Sequence, residues 1–317
     1  MRIDCHVHLS AMTPGHGSMS MRLSRSIPFC YLRSKFGLAA DATHDAPLVE
    51  ALRHQIETAG NVDAVVILAF DSVYTPGGVR DDFNTHLYLA NDYVRDVCAG
   101  EPRFLFGCSV HPYRRDAIEE LERCVKGGAV LCKWLPITQG IDPSDTRCYA
   151  FYDALAHYGL PLLSHTGGES MLPNVNQCAD PTLLLPAIRR GVKVIAAHCG
   201  TRSKPWESDF THTFAKLALD HEHFYGDCSA LNWPFRWHAY TTLLADPRVM
   251  AKIVHGSDWP VIPIAHPGRL GFGPALQYFD DDNWLRRDVE IKQAIGVDEA
   301  VFERAAKVLR LPDEKRV

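Results

Sequence analysis

The chain alternates between two kinds of hydrophobic pattern along nearly its whole length. Short apolar runs of strand length recur at residues 2–8, 62–70, 104–110, 129–134, 160–165, 192–198, 224–229 and 252–255. Near-continuous Val, Ile, Leu and Ala in such runs predicts strands buried on both faces, as in a parallel sheet. Between them, apolar residues three and four apart predict helices over 47–59, 84–97, 116–126, 148–158, 182–190, 210–220 and 237–245. Two more helices are predicted near 288–295 and 298–309. Pro47 in a first-turn position and Gly60 as a stop delimit the first helix. Eight strands, nearly every one followed by a helix, predict an α/β fold of the (β/α)8 barrel type over residues 1–317 as a single domain. The alternative is an open doubly wound sheet, and the first strand lacks the Gly-x-Gly-x-x-Gly of its dinucleotide-binding forms. Residues 9–46 fall outside the alternation. Their apolar cluster of Ile27, Phe29, Tyr31, Leu32 and Phe36 predicts an ordered cap between the first strand and the first helix. Residues 286–311 are expected to close the chain as C-terminal helices.

Composition narrows the class of molecule. A hydrophobic fraction of 46% supports a large core, and a net charge of −5 without a basic block argues against nucleic acid as a partner. No apolar run approaches the ~20 residues a membrane helix needs. The first strand begins at once, which leaves no room for a signal peptide. Ten cysteines lack any Cys-x-x-Cys pair, and Cys5, Cys108 and Cys132 lie inside apolar runs. Free buried thiols in a reducing cytoplasm account for them better than disulfides. A cytoplasmic protein acting on a small molecule is expected, and the residues leave a homo-oligomer open.

Barrel enzymes draw their chemistry from the C-terminal ends of several strands. His6 and His8 end the first strand, and residues two apart on a strand share a face, so both imidazoles can address one cation. Later strand ends carry Lys133, His165, His198 and, just past the eighth strand, Asp258. One histidine ending one apolar strand is ordinarily a hydrogen-bonded structural residue. Six polar residues on one end of one barrel are not explained that way. Asp71, His111, Trp134, Glu169, Arg202, Lys204, Asn232, Trp233 and Arg236 adjoin these ends, and His111, Trp134, Arg202 and Asn232 are the candidate substrate contacts. Arginine and lysine there suit a carboxylate-bearing substrate, although solvated loop charges read equally well. The cap aromatics are assigned to packing, Asp4 to anchoring the first loop, and His44, His54, His157, His212, His221 and His223 to the surface or to helix faces.

With these residues in order, the chain resembles the amidohydrolase superfamily, in particular its amidohydrolase-2 branch of metal-dependent barrel enzymes. The stretches that carry the resemblance are Asp4-Cys-His-Val-His8, Ser164-His-Thr166, Ala197-His-Cys-Gly200 and Gly256-Ser-Asp-Trp-Pro260. The resemblance implies that His6, His8, His165 and Asp258 bind a divalent metal, zinc first, and that His198 is a ligand or a catalytic group beside it. Asp258 would touch the metal and accept the proton of the attacking water. Lys133 has two readings: carboxylated and bridging two ions, the second held by His165 and His198, or an ammonium that pairs with Asp258 or a substrate carboxylate. One or two ions per chain follow from that choice. The expected activity is hydrolysis of a small amide, cyclic amide or lactone. The alternative is non-oxidative decarboxylation of a small carboxylic acid, with a non-catalytic metal-binding barrel behind both.

Overall fold

The computed structural model describes residues 1–169 and 176–312. Among the described residues there are ten strands: β1 Ile3–His8, β2 Gly17–Met19, β3 Ala64–Leu68, β4 Leu87–Leu89, β5 Phe104–Cys108, β6 Leu131–Trp134, β7 Leu162–His165, β8 Val194–Ala197, β9 Phe224–Asp227 and β10 Ile253–Val254. Eight of them form one parallel sheet in the order β1-β3-β5-β6-β7-β8-β9-β10. The chain beyond β10 closes it against β1. Cys5 N donates to His255 O (3.0 Å), Asp258 N to His6 O (2.9 Å) and His8 N to Trp259 O (2.8 Å). This is the eight-stranded α/β barrel that the alternation predicts, with helices covering its outside.

One irregularity in β1 decides where the site can form. Ile3 and Cys5 pack inside the barrel with Val66, Leu131 and Leu163, whereas Val7 packs outside against the helices. Strict alternation would put all three on one face. The register instead slips between Asp4 and Val7, a bulge that turns His6 inward together with His8. Asp4 secures the bulge, its Oδ1 accepting His6 N (3.1 Å) and Ser257 N (2.9 Å). Burial pushes its carboxyl up to about 7. Gly256 is required at the same place, because a Cβ there would lie 2.8 Å from the Cβ of His6.

The bottom of the barrel is sealed by the helix Ala300–Val308, whose Ala305 and Val308 join the interior cluster. Burying a side chain the size of Val308 contributes roughly 1.5–3 kcal/mol. The helix Trp284–Ile295 begins four residues before its predicted start and carries a buried ion pair, Asp288 with Lys292. Lys292 Nζ also donates to Gly256 O (2.7 Å), tying this helix to the mouth of the barrel.

The cap is ordered, as expected, and more regular than its sequence pattern implies. It contains β2 and the helices Met21–Ser24 and Ile27–Phe36. Ser26 caps the second helix through Phe29 N, Pro28 occupies its first turn, and Gly37 ends it with a φ of 62°. Phe36 packs on Trp259 and Trp284 with ring centroids 5.3 Å away in each case, so the cap aromatic serves packing. The predicted helix over 84–97 is corrected: Leu87–Leu89 pairs antiparallel with Gly17–Met19, and the helix runs Asn91–Ala99. Competition for the cap's open strand edge outweighs local helical spacing there. His44 is also corrected, since it is buried and its Nε2 meets Ser10 O at 3.2 Å.

Candidate metal centre and active site

At the mouth of the barrel three ligand-type atoms converge. His6 Nε2 and His8 Nε2 are 3.1 Å apart, and Asp258 Oδ1 lies 3.3 Å from the first and 3.2 Å from the second. Two imidazole nitrogens and a carboxylate oxygen this close repel one another unless a cation or a proton lies between them. Atoms bonded to one tetrahedral zinc at 2.0–2.1 Å are about 3.3 Å apart, so this donor set fits a divalent ion. Asp258 reaches the point from a left-handed backbone with φ 67°, a conformation that Asp tolerates better than most residues. His198 and Cys199 adopt the same region, with φ 58° and 52°. Strained backbone is thus concentrated where the polar side chains meet.

Electrostatics keep the groups in complementary states. Burial drives His6 and His198 well below the usual histidine range, so both rings are neutral. Burial alone would raise the Asp258 carboxyl, but the hydrogen bond from His8 and the Lys133 ammonium oppose it, and the net shift is downward, to the ionised form. Lys133 Nζ stands 3.0 Å from His6 Nε2 at the end of β6, and burial lowers its pKa against the pull of Asp227 and Asp258.

Two further histidines line the mouth in different ways. The His198 ring is centred 5.2 Å from His6, with Nδ1 donating to Ser229 O (3.0 Å), which leaves its Nε2 without a proton. His165 lies next to His198, ring centroids 4.8 Å apart. Its Nε2 donates to Gly168 O (3.2 Å) and its Nδ1 is 3.4 Å from Glu169 Oε2. Burial lowers His165 to about 3. The structure therefore brings His6, His8, Asp258 and Lys133 together, sets His198 beside them, and leaves His165 one ring further out. Arg236, 5% exposed, donates to Thr201 O (3.0 Å) and Gly168 O (2.8 Å), bracing the loops after β7 and β8.

Of the substrate-contact candidates, three are turned to other tasks. Trp134 follows inward-facing Lys133 on a strand, so it faces outward; it packs on Phe151 and Tyr152 and donates to Val110 O (2.8 Å). Both His111 ring nitrogens are taken up, by Gln139 O (3.0 Å) and Tyr113 N (3.1 Å). Asn232 donates to Asp288 Oδ1 (2.7 Å) and accepts from the Tyr240 hydroxyl (2.9 Å). Arg202 remains at the rim, half-buried in the loop after β8, with its backbone N–H held by Asp209 (3.0 Å).

The sequence reading passed over Asp227. It ends β9, is fully buried, and accepts His6 Nδ1–H at 2.7 Å. The signal was available, because a charged residue interrupts the run Phe224-Tyr-Gly-Asp227 at its end, as Lys133 interrupts β6 one residue before its end.

Comparison with known proteins agrees with this fold. Residues 3–287 match the profile of a family described as Amidohydrolase, and no curated protein sequence matches. Similar solved structures include a probable 2-pyrone-4,6-dicarboxylic acid hydrolase from Acinetobacter baumannii, 15% identical with a TM-score of 0.56, covering 96% of this chain and 98% of that one. A 5-carboxyvanillate decarboxylase from Sphingomonas paucimobilis is 15% identical with a TM-score of 0.58, covering 98% and 99%. A dihydroxybenzoic acid decarboxylase from Polaromonas sp. JS666, solved with bound manganese, is 15% identical with a TM-score of 0.57, covering 96% and 93%. These likenesses carry the fold; the family match, over nearly the whole chain, carries the assignment. The chain belongs to the amidohydrolase family of metal-dependent TIM-barrel enzymes.

Proposed function

We propose that the protein is a metal-dependent hydrolase of a small amide, cyclic amide or lactone. The observation that carries this reading is the ionised Asp258 carboxylate, 3.2–3.3 Å from both His6 Nε2 and His8 Nε2. His6, His8 and Asp258 would hold the divalent ion, zinc first, and His165 would complete the set by turning its ring from Gly168. A bound divalent ion lowers the pKa of water toward ~7 and polarises a carbonyl. Asp258 then accepts the water proton at a carboxylate oxygen and returns it to the leaving group. His198, with a lone pair on Nε2, accepts a hydrogen bond from the attacking water or a protic substrate group and so orients it. Lys133, a buried cation beside His6 Nε2, favours a substrate that carries a carboxylate. Cytoplasmic location is proposed from the free state of all ten cysteines. Among the described residues no helix is long and apolar enough to cross a membrane.

The same cation favours a second reading, decarboxylation of a small carboxylic acid, in which it would hold the substrate's carboxylate. One assay separates the two. Zinc- and manganese-loaded protein is offered a panel of lactones and amides, followed by proton release, and a panel of hydroxybenzoic and dienoic acids, followed by CO2 release. Turnover in the first panel that is abolished in Asp258→Asn supports hydrolysis. Turnover confined to the second assigns the chain to decarboxylation, and none in either removes both.

A further inference from the structure

Asp227 holds more of the mouth of the barrel together than any residue the sequence pattern selects. Four donors converge on its two oxygens. Oδ2 receives His6 Nδ1–H at 2.7 Å, while Oδ1 receives His198 N (2.8 Å), Ser229 N (3.1 Å) and the Ser229 hydroxyl. A carboxylate only accepts, so the His6 proton must sit on Nδ1 and its Nε2 must carry the lone pair. Lys133 Nζ at 3.0 Å from that Nε2 requires the same arrangement, because an ammonium only donates. His198 is set through Ser229. Its Nδ1 lies 3.0 Å from Ser229 O, a carbonyl that can only accept, and 2.8 Å from Ser229 Oγ, whose own proton goes to Asp227.

We infer that Asp227 is the positioning residue of this site, holding His6 directly and His198 through Ser229 in their Nδ1–H tautomers so that both Nε2 lone pairs face the mouth of the barrel. The inference rests on the metal-centre reading only for what His6 Nε2 then holds. Asp227, His6 and His198 together could be taken for a second ion site, since their ligand-type atoms cluster. The hydrogen bonds argue otherwise. Oδ1 already takes three donors, and an ion on Oδ2 would have to share that buried oxygen with the His6 Nδ1–H 2.7 Å away. Asparagine in its place keeps the shape but has one acceptor oxygen, so its amide N–H groups would meet either His6 Nδ1–H or the N–H groups of His198 and Ser229.

The test reads tautomers and ion affinity rather than turnover. Full-length protein labelled with 15N-histidine is examined by long-range 1H–15N correlation without metal, and Zn2+ affinity is measured against a chromophoric chelator for wild type and Asp227→Asn. The expected result is Nδ1–H at His6 and His198 in the wild type. Asp227→Asn should lose the single tautomer at His6 and bind Zn2+ about 10–100-fold more weakly. An Nε2–H form at either histidine of the wild type overturns the inference with no variant needed, so a poorly folding Asp227→Asn does not protect it. Wild-type Zn2+ affinity in a folded Asp227→Asn also overturns it, leaving Asp227 a merely structural residue. Complete loss of Zn2+ binding in that variant overturns it in the other direction, making Asp227 a ligand. Correct tautomers in a wild type that binds neither Zn2+ nor Mn2+ uphold the positioning and sink the metal centre instead.

Discussion

Lys133 Nζ lies 3.0 Å from His6 Nε2, so a buried ammonium donates to the same lone pair that a divalent ion would use. The carboxylated form of this lysine would instead serve two ions, the second of them held by His165 and His198. The Lys133 Nζ donating to the His6 lone pair is the ammonium form, which favours one ion and an uncarboxylated lysine. We expect elemental analysis to give about one ion per chain in both the wild type and Lys133→Met. We also expect the variant to bind Zn2+ about tenfold more tightly, because a like charge has left the site. Two ions falling to one or none would establish the bridge.

Asp258→Asn should lower kcat by about 10²–10⁴-fold, the usual share of a positioned acid or base. Asparagine accepts the φ of 67° at this position, so thermal unfolding should hardly move. A variant retaining more than a tenth of wild-type kcat would remove Asp258 from proton transfer.

Gly256→Ala places a Cβ 2.8 Å from the Cβ of His6 and 3.2 Å from that of Ser229. The closing strand must then back away from β1, at a cost of about 1–3 kcal/mol. Zn2+ affinity should fall with it, since His6 and Asp258 would separate. Gly273→Ala, where the new Cβ meets nothing within 4 Å, is the control and should leave both quantities close to wild type.

Lys292 is fully buried with Asp288 as its partner and Gly256 O as a second acceptor. Lys292→Met leaves an unpaired buried carboxylate and should cost about 3–5 kcal/mol in urea unfolding. Adding Asp288→Asn removes that charge and should recover a good part of the loss. Simple additivity of the two changes would mean that the pair is not coupled.

His111 makes stability depend on acidity. Burial lowers it to about 4 in the folded protein, against about 6.5 when unfolded. Between those values the unfolded chain binds the extra proton, so stability is complete above pH 6.5 and falls as pH drops toward 4. About 3 kcal/mol is at stake over that window. Chemical unfolding at pH 7 and pH 4.5 should show a steeper loss for wild type than for His111→Gln. Equal slopes would exclude a neutral buried His111.

How far the sequence reaches can be judged strand by strand. The eight barrel strands were legible because parallel strands covered on both faces must be apolar throughout, and for the same reason His165, His198 and Lys133 stood out as interruptions. Asp227 interrupts β9 in the same way and could have been found by the same test. The outward direction of Trp134 follows from strand alternation with Lys133, so that error was avoidable too. The capping pattern around Ser26, Pro28 and Gly37 likewise announced a helix inside the cap.

Other features could not be read in advance. Whether His111 and Asn232 face a substrate depends on Gln139 and Asp288, residues 28 and 56 positions away that only the folded chain brings near. The strand Leu87–Leu89 exists because Gly17–Met19 offers it an edge. By itself the sequence determined the barrel and the set of polar residues at its mouth, since burial on two faces leaves a one-dimensional signature. Tertiary structure alone decided which nitrogen each histidine presents and which face His6 takes. Both depend on a bulge and on partners distant in the chain, and hydrogen bonds between such groups leave no local pattern.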